Sequence, residues 1–375
     1  MSQTQAIPIL DLSGEIQSLW PQLTDAVTRV MKSGQFILGP EVGAFEAEAA
    51  KYLGVKHAIG CNSGTDALVI ALRALGVKPG DEVITTPFSF VATAGAISII
   101  GGKPVFCDIE PATFNIDPAQ IEAKITAKTK AIIPVHLFGQ AADMDAINAV
   151  AKKHGLRVLE DVAQAFGGRY KGRMLGTLGD IAGWSFFPTK NLGAYGDAGL
   201  ITTDDDKLAD LARMLRVHGS KKRYHNELDG YNSRLDALQA AILRVKLPHI
   251  DDWNRQRRAA ADRYDALLKE VPGIVTPRRA AYAEHVFHQY TVRVTRAHAA
   301  VGSAANPRDA LVQRMNESGI GAMVYYPIPI NRLPVYAHIG GAFKHTDQAC
   351  DEVMSLPMWP GISEETQRTV VAAMK

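Results

Sequence analysis

Cysteine is scarce in this chain, and paired cysteine is missing altogether. Cys61, Cys107 and Cys350 are the three present, widely spaced and without a C-x-x-C pair. That argues against a disulfide framework or a zinc site and fits a reducing compartment. Long apolar runs are also missing: none approaches the ~20 residues needed to span a bilayer. Neither sign of charge is in excess, since 41 basic residues face 39 acidic ones for a formal net charge of +2. No global field therefore favours nucleic acid or an anionic membrane, and the local run Lys221-Lys222-Arg223 reads as a solvated face. The first residues, Met1-Ser2-Gln3-Thr4-Gln5, lack the basic and apolar regions of a signal peptide. Short repeats and low-complexity stretches are absent. These absences lead to the expectation of a soluble, cytoplasmic protein with no metal, membrane or nucleic-acid partner.

What is present is ample core material, 47% hydrophobic residues in 375, enough for two domains. From about residue 54 to 206, short apolar runs alternate with helical patterns. Strands are expected at 82–86, 103–108, 131–135, 157–161, 183–187 and 199–203. Between them, residues 66–75 place Ala67, Leu68, Ala71, Leu72 and Leu75 at helical spacing, with Gly76 as the stop. Strands separated by helices pair in parallel with both faces covered. The pattern changes near Pro248. A long charged helix from 251 to about 270 is broken by Val271-Pro272-Gly273, residues 290–294 alternate as a half-buried strand, and Asn306-Pro307 opens a helix ending at Gly319. The expected fold class is α/β: a large domain over 1–249 with a mostly parallel central sheet, and a smaller α+β domain over 250–375.

Ligands of open α/β sheets sit at the carboxyl ends of the strands, and two candidates fall there. Asp161 ends the run Arg157-Val158-Leu159-Glu160. A carboxylate near a buried strand end needs a cationic partner. A pyridinium nitrogen is one, and the pairing strengthens such a ring as an electron sink; the alternative is a helix cap for 163–166. Lys190 follows the aromatic run Trp184-Ser185-Phe186-Phe187 and precedes the Gly-rich turn 193–199. Desolvation there would lower its ~10.4 solution pKa, as a Schiff-base amine requires; the alternative is a surface lysine. Ser63-Gly64-Thr65 precedes a helix and offers either an anion site for a phosphate ester or ordinary capping. Ser185 adds a hydroxyl to that phosphate or is a plain strand serine. Phe90 stacks on a pyridine face or joins the core, and Asn232 by itself reads as a turn residue after Gly230. The order of these features along the chain carries more weight than any one of them.

At this point whole motifs become recognisable. Gly64-Thr65-Asp66-Ala67-Leu68, Gly80-Asp81-Glu82-Val83-Ile84, Glu160-Asp161-Val162-Ala163-Gln164-Ala165 and Ser185-Phe186-Phe187-Pro188-Thr189-Lys190-Asn191-Leu192-Gly193 resemble the DegT/StrS family of nucleotide-sugar aminotransferases. So do the segment 34–40, Arg234-Leu235-Asp236 and Tyr325-Tyr326-Pro327, and the resemblance covers nearly the whole chain. It implies the fold-type I architecture, pyridoxal 5'-phosphate bound as a Schiff base to Lys190, and a homodimer with composite active sites. It assigns Asp161 to the pyridine nitrogen, Gln164 to the side of the phenolic oxygen, Gly64, Thr65 and Ser185 to the phosphate, and Phe90 to stacking. Asn232 is assigned to the phosphate of the neighbouring subunit. It also implies a ping-pong cycle in which glutamate donates an amino group, Lys190 serves as the base, and a nucleotide-linked keto sugar accepts.

Two departures stand out: Asn331 where many members carry His, and Ala198 where Gly is frequent. Lys190 is kept where related dehydratases have His, which argues for transamination. Residues 224–226 and 230–236 look like members acting on 3-keto sugars linked to dTDP or UDP. A 4-keto sugar aminotransferase, a cyclitol aminotransferase and a non-catalytic cofactor-binding regulator are the other readings.

Overall fold

The computed structural model describes residues 6–222, 224–298 and 306–375; Arg223 of the basic run and residues 1–5 lie outside them. A seven-stranded sheet organises the first two-thirds of the chain. Its strands are β1 (His57–Cys61), β2 (Glu82–Thr85), β3 (Lys103–Phe106), β4 (Thr129–Ile132), β5 (Arg157–Asp161), β6 (Ile181–Ser185) and β7 (Gly199–Thr203), in the order β1-β7-β6-β5-β4-β2-β3. Six run in one direction. β7 alone opposes both its neighbours, so the sheet is mostly but not wholly parallel. Both faces are covered, which is why these segments read as nearly continuous apolar runs.

β5 and β7 occupy the spans expected from sequence, whereas β4 and β6 each start two residues early. Pro134 has no amide to continue the β4 ladder, although Ile133 still donates to Ile84 O at 2.8 Å. Phe187, at 50% exposed, leaves the sheet to begin the turn at Lys190. β1 was not expected at all. Its five residues include Gly60 and only one β-branched residue, so neither propensity nor alternation marks it.

Helices α1 (Ser13–Ser33), α2 (Pro40–Leu53), α3 (Gly64–Ala74) and α4 (Ala237–Lys246) cover the sheet and each other. α3 is buried around most of its circumference, Val69 and Ile70 included, because it is wedged between the sheet and neighbouring helices. Helix α5 (Ile250–Leu268) joins two hydrophobic cores. Ile250 and Trp253 pack into the core under the large sheet. Ala260, Tyr264 and Leu268 pack into a second core with Val292, Leu311 and Met354. That second core is built on the antiparallel strands β8 (Ile274–Val275), β9 (Tyr290–Val294) and β10 (Val353–Leu356). Asn306 Oδ1 caps α6 (Pro307–Glu317) by accepting from Arg308 N at 2.9 Å, as its sequence signature indicates. No helix of the described residues is long and apolar enough to cross a membrane.

Candidate active site

β5 and β6 are adjacent and parallel, with Asp161 opposite Gly183. Their carboxyl ends therefore open at one edge of the sheet. Asp161 is 4% exposed. Its Oδ2 accepts from Thr93 Oγ1 at 2.9 Å and its Oδ1 from Ala163 N at 3.2 Å. Residues 163–166 form a turn rather than a helix, so Asp161 caps no helix. Burial raises its carboxyl pKa, against the Thr93 and Ala163 hydrogen bonds and the charges of Lys190 and His136. A buried carboxyl in that condition is short of a cation.

Lys190 sits on a turn closed by its own N–H to Phe187 O at 2.8 Å. Its amine has no hydrogen-bond partner among the described residues. Burial pulls its pKa down to about 8, with Asp161 opposing the shift. Each group feels the other's charge, so the fold brings the two candidates near one another although they are 29 positions apart in sequence.

The amino end of α3 comes to the same edge because two glycines let it lie on β6. A Cβ at Gly64 would meet Ser185 Cβ at 2.6 Å, and one at Gly183 would meet Leu68 Cδ2 at 2.8 Å. Ser63 Oγ caps the helix by accepting from Asp66 N at 3.1 Å. The amides of Gly64 and Thr65 remain without partners among the described residues. Capping and an anion cradle are thus compatible, and Ser185 lies against the cradle.

Gln164 is held at both ends of its amide: Oε1 accepts from Phe138 N and Nε2 donates to Tyr326 Oη, both at 2.8 Å. Phe90 is 56% exposed, with its ring centroid 6.4 Å from that of Tyr326. The core aromatic of that segment is Phe88 instead. Asn232 stands apart from this group. It is exposed and paired through the backbone with Val217, while its neighbour Ser233 donates to Asn62 at 2.9 Å.

Three residues escaped the sequence reading of the site. Thr93 bonds Asp161, and Tyr326 bonds Gln164. Both lie in segments quoted for other reasons, with nothing local to show their contacts. His288 is buried, its Nδ1 has no partner among the described residues, and burial together with the Lys190 and Arg257 charges pushes its imidazole well below the usual range. Asn331 is buried, and its Nδ2 donates to Gly340 O and Gly341 O at 3.3 and 3.2 Å. Ala198 is buried and accepts from Phe186 N at 2.8 Å, so its methyl is accommodated.

This chemistry suits pyridoxal phosphate. Free amides at a helix amino end and a serine hydroxyl suit the phosphate, a cation-deficient carboxyl suits a protonated ring nitrogen, and a desolvated amine suits a carbonyl carbon. The DegT/DnrJ/EryC1/StrS aminotransferase family is matched over residues 18–375. The chain is 54% identical to a "pleiotropic regulatory protein" of Geobacillus stearothermophilus, over 97% of this chain and 96% of the relative. It is 45% identical to a UDP-N-acetyl-3-dehydro-alpha-D-glucosamine 3-aminotransferase of Acidithiobacillus ferrooxidans, over 97% and 96%. Among solved structures, DesV of S. venezuelae in complex with a ketimine intermediate superposes with a TM-score of 0.93 at 41% identity, over 99% of this chain and 98% of that one. NtdA of Bacillus subtilis, with bound cofactor PMP, matches at 0.87 and 34% identity, over 95% and 81%.

Proposed function

The chain belongs to the DegT/DnrJ/EryC1/StrS aminotransferase family, and from that premise we propose that it carries an amino group from glutamate to a nucleotide-linked keto sugar by a ping-pong cycle. It is a pyridoxal-phosphate-dependent aminotransferase. The observation that carries the site assignment is that Lys190 and Asp161, at the carboxyl ends of adjacent parallel strands, act on each other's charge, an amine with lowered and a carboxyl with raised pKa. When bound, the cofactor supplies a carbonyl carbon for the amine and a ring that withdraws electrons.

The chain's residues do the rest. Asp161 holds a proton on the ring nitrogen through its carboxylate, with Thr93 fixing one oxygen and Ala163 N the other. Gly64, Thr65 and Ser185 hold the phosphate, and Phe90 covers one ring face. Gln164, locked between Phe138 and Tyr326, would stand beside the phenolic oxygen. Lys190 Nζ would hold the cofactor and, when free, would serve as the base that takes and returns a proton. An amine with a pKa near 8 is suited to both acts at neutral pH.

The acceptor is a dTDP- or UDP-linked 3-keto sugar. The segment 224–236 supports that choice, as does the 3-dehydro substrate in the name of the Acidithiobacillus relative. Offering 3-keto and 4-keto nucleotide hexoses side by side with glutamate tests it; amination of the 4-keto sugars alone refutes it. The regulatory name of the 54%-identical relative favours one further reading, a cofactor-binding sensor. Glutamate separates the two, because an aminotransferase loses its cofactor-aldehyde absorbance on addition and a sensor keeps it.

The enzyme works as a homodimer. Asn232 and the apolar Phe36, Ile37 and Phe187 are exposed in a single chain, and a partner would give Asn232 a phosphate to reach. The division into domains at 249/250 and a cytoplasmic location, consistent with three free cysteines, complete the proposal.

A further inference from the structure

Asn254 lies on α5, 63 positions after Asn191, and is buried to 1% exposure. Its side chain joins two loops of the candidate site. Oδ1 accepts from Asn191 Nδ2 at 2.8 Å, and Asn191 is the residue after Lys190. Nδ2 donates to Phe166 O at 2.9 Å, on the loop that descends from Asp161 through Gln164. Asn191 Nδ2 also donates to Val286 O at 2.9 Å, which fixes the amide orientations, since exchanging O and N at Asn191 would set it as an acceptor against two others. The fit leaves no room for a side chain at Gly167, where a Cβ would come within 2.6 Å of Asn254 Nδ2. One helix farther up, Lys246 Nζ donates to Gly193 O on the same turn.

We propose that Asn254 is a positioning residue that sets the spacing between Lys190 and Asp161 by tying the loop behind each to the helix joining the two cores. It touches neither the substrate nor the cofactor. Two buried hydrogen bonds acting on both loops replace what would otherwise be independent motion of two turns. The inference rests on the reading of Lys190 as the cofactor lysine.

The test measures the pH dependence of reductive methylation at Lys190 by mass spectrometry, in the full-length protein freed of cofactor. Asp161 and His288 are the titratable groups whose charge is coupled to Lys190. Of the influences on its amine, desolvation is the larger. Loosening the turn in Asn254→Ala admits water, so the midpoint moves up toward an ordinary lysine. A rise of one unit leaves about tenfold less neutral amine at pH 7. Asn191→Ala, which removes only the arm nearest Lys190, shifts it in the same direction and carries the test should N254A not fold. Asn306→Ala, which removes a helix cap on the second core, lowers the melting temperature without moving the midpoint. An unchanged midpoint in folded N254A or N191A overturns the proposal, and so does an equal shift in N306A. Adding pyridoxal phosphate to the wild type separately judges the underlying reading: protection of Lys190 supports it, and labelling indifferent to the cofactor refutes it whatever Asn254 does.

Discussion

The two sides of the cleft are finished to different degrees. On the inner side, around Asp161 and Gln164, the carboxyl and the amide are buried and held by named partners, and the same is true of Glu160 on the opposite face of the strand. Glu160, the residue before Asp161, accepts from the amides of Gly176, Leu178 and Gly179 and meets His136 Nε2 at 3.0 Å. On the outer side, Phe90 and Phe187 are half exposed, the amides of Gly64 and Thr65 have no partner among the described residues, and Asn232 is exposed. On the proposed reading, a single chain builds the electronics of the site and leaves its phosphate and ring-covering side to be completed. Burial of polar groups demands partners, so the inner side is rigid by construction; the outer side leaves room for a ligand and for the second subunit of the proposed homodimer.

The largest expected effect comes from the inner side. Lys190→Ala lowers turnover by on the order of 10^4-fold or more while melting temperature and circular dichroism stay near wild type; normal transamination by that variant would sink the assignment. Asp161→Asn keeps size and hydrogen-bonding reach but removes the charge, and costs roughly 10^2- to 10^3-fold in kcat, measured with saturating cofactor.

Glu160→Gln, on the face of β5 turned away from the cleft, sharpens the contrast. Its new NH2 faces amide donors, so stability drops by about 2 kcal/mol, read by denaturant unfolding, with cofactor absorbance retained in the folded fraction. On the outer side, Asn232→Ala weakens retention of the cofactor by about tenfold, the loss of one charge-assisted hydrogen bond. An equilibrium titration reads this, and the loss is seen only in the associated form. The smallest effect is one of pH. The Lys190 amine, with its pKa lowered to about 8 by burial, becomes progressively protonated as pH falls. Only the neutral amine condenses with an aldehyde, so the rate at which added pyridoxal phosphate attaches to the cofactor-free protein declines below about pH 8 and levels above it, in a stopped-flow series.

Much of this was legible in residue order. Asp161, Lys190 and the Ser63-Gly64-Thr65 helix start stand out because each breaks an apolar pattern at a strand end or opens a helix, and the strands at 157–161 and 199–203 matched their runs. Other features carried no local mark. β1 lacks the residues that propensity recognises, and the reversed direction of β7 leaves no trace in composition, since a fully buried strand reads alike in either orientation. Phe88 and Phe90 are two positions apart in one irregular segment; their opposite fates follow from which ring meets Phe114 and Phe138.

By itself the sequence determined the chemical inventory: one amine, one acid, one anion cradle, and their order along the chain. It also determined that Glu160 and Asp161 must point to opposite faces of their strand, because side chains alternate with a period of two. Which of those faces is the cleft was decided only by the tertiary structure, when β6 and the amino end of α3 came to lie beside Asp161. The same holds for Asn254, Tyr326 and Thr93. Hydrogen bonds over such separations need partners that only a folded backbone brings within 3 Å, and a linear pattern has no term for that distance.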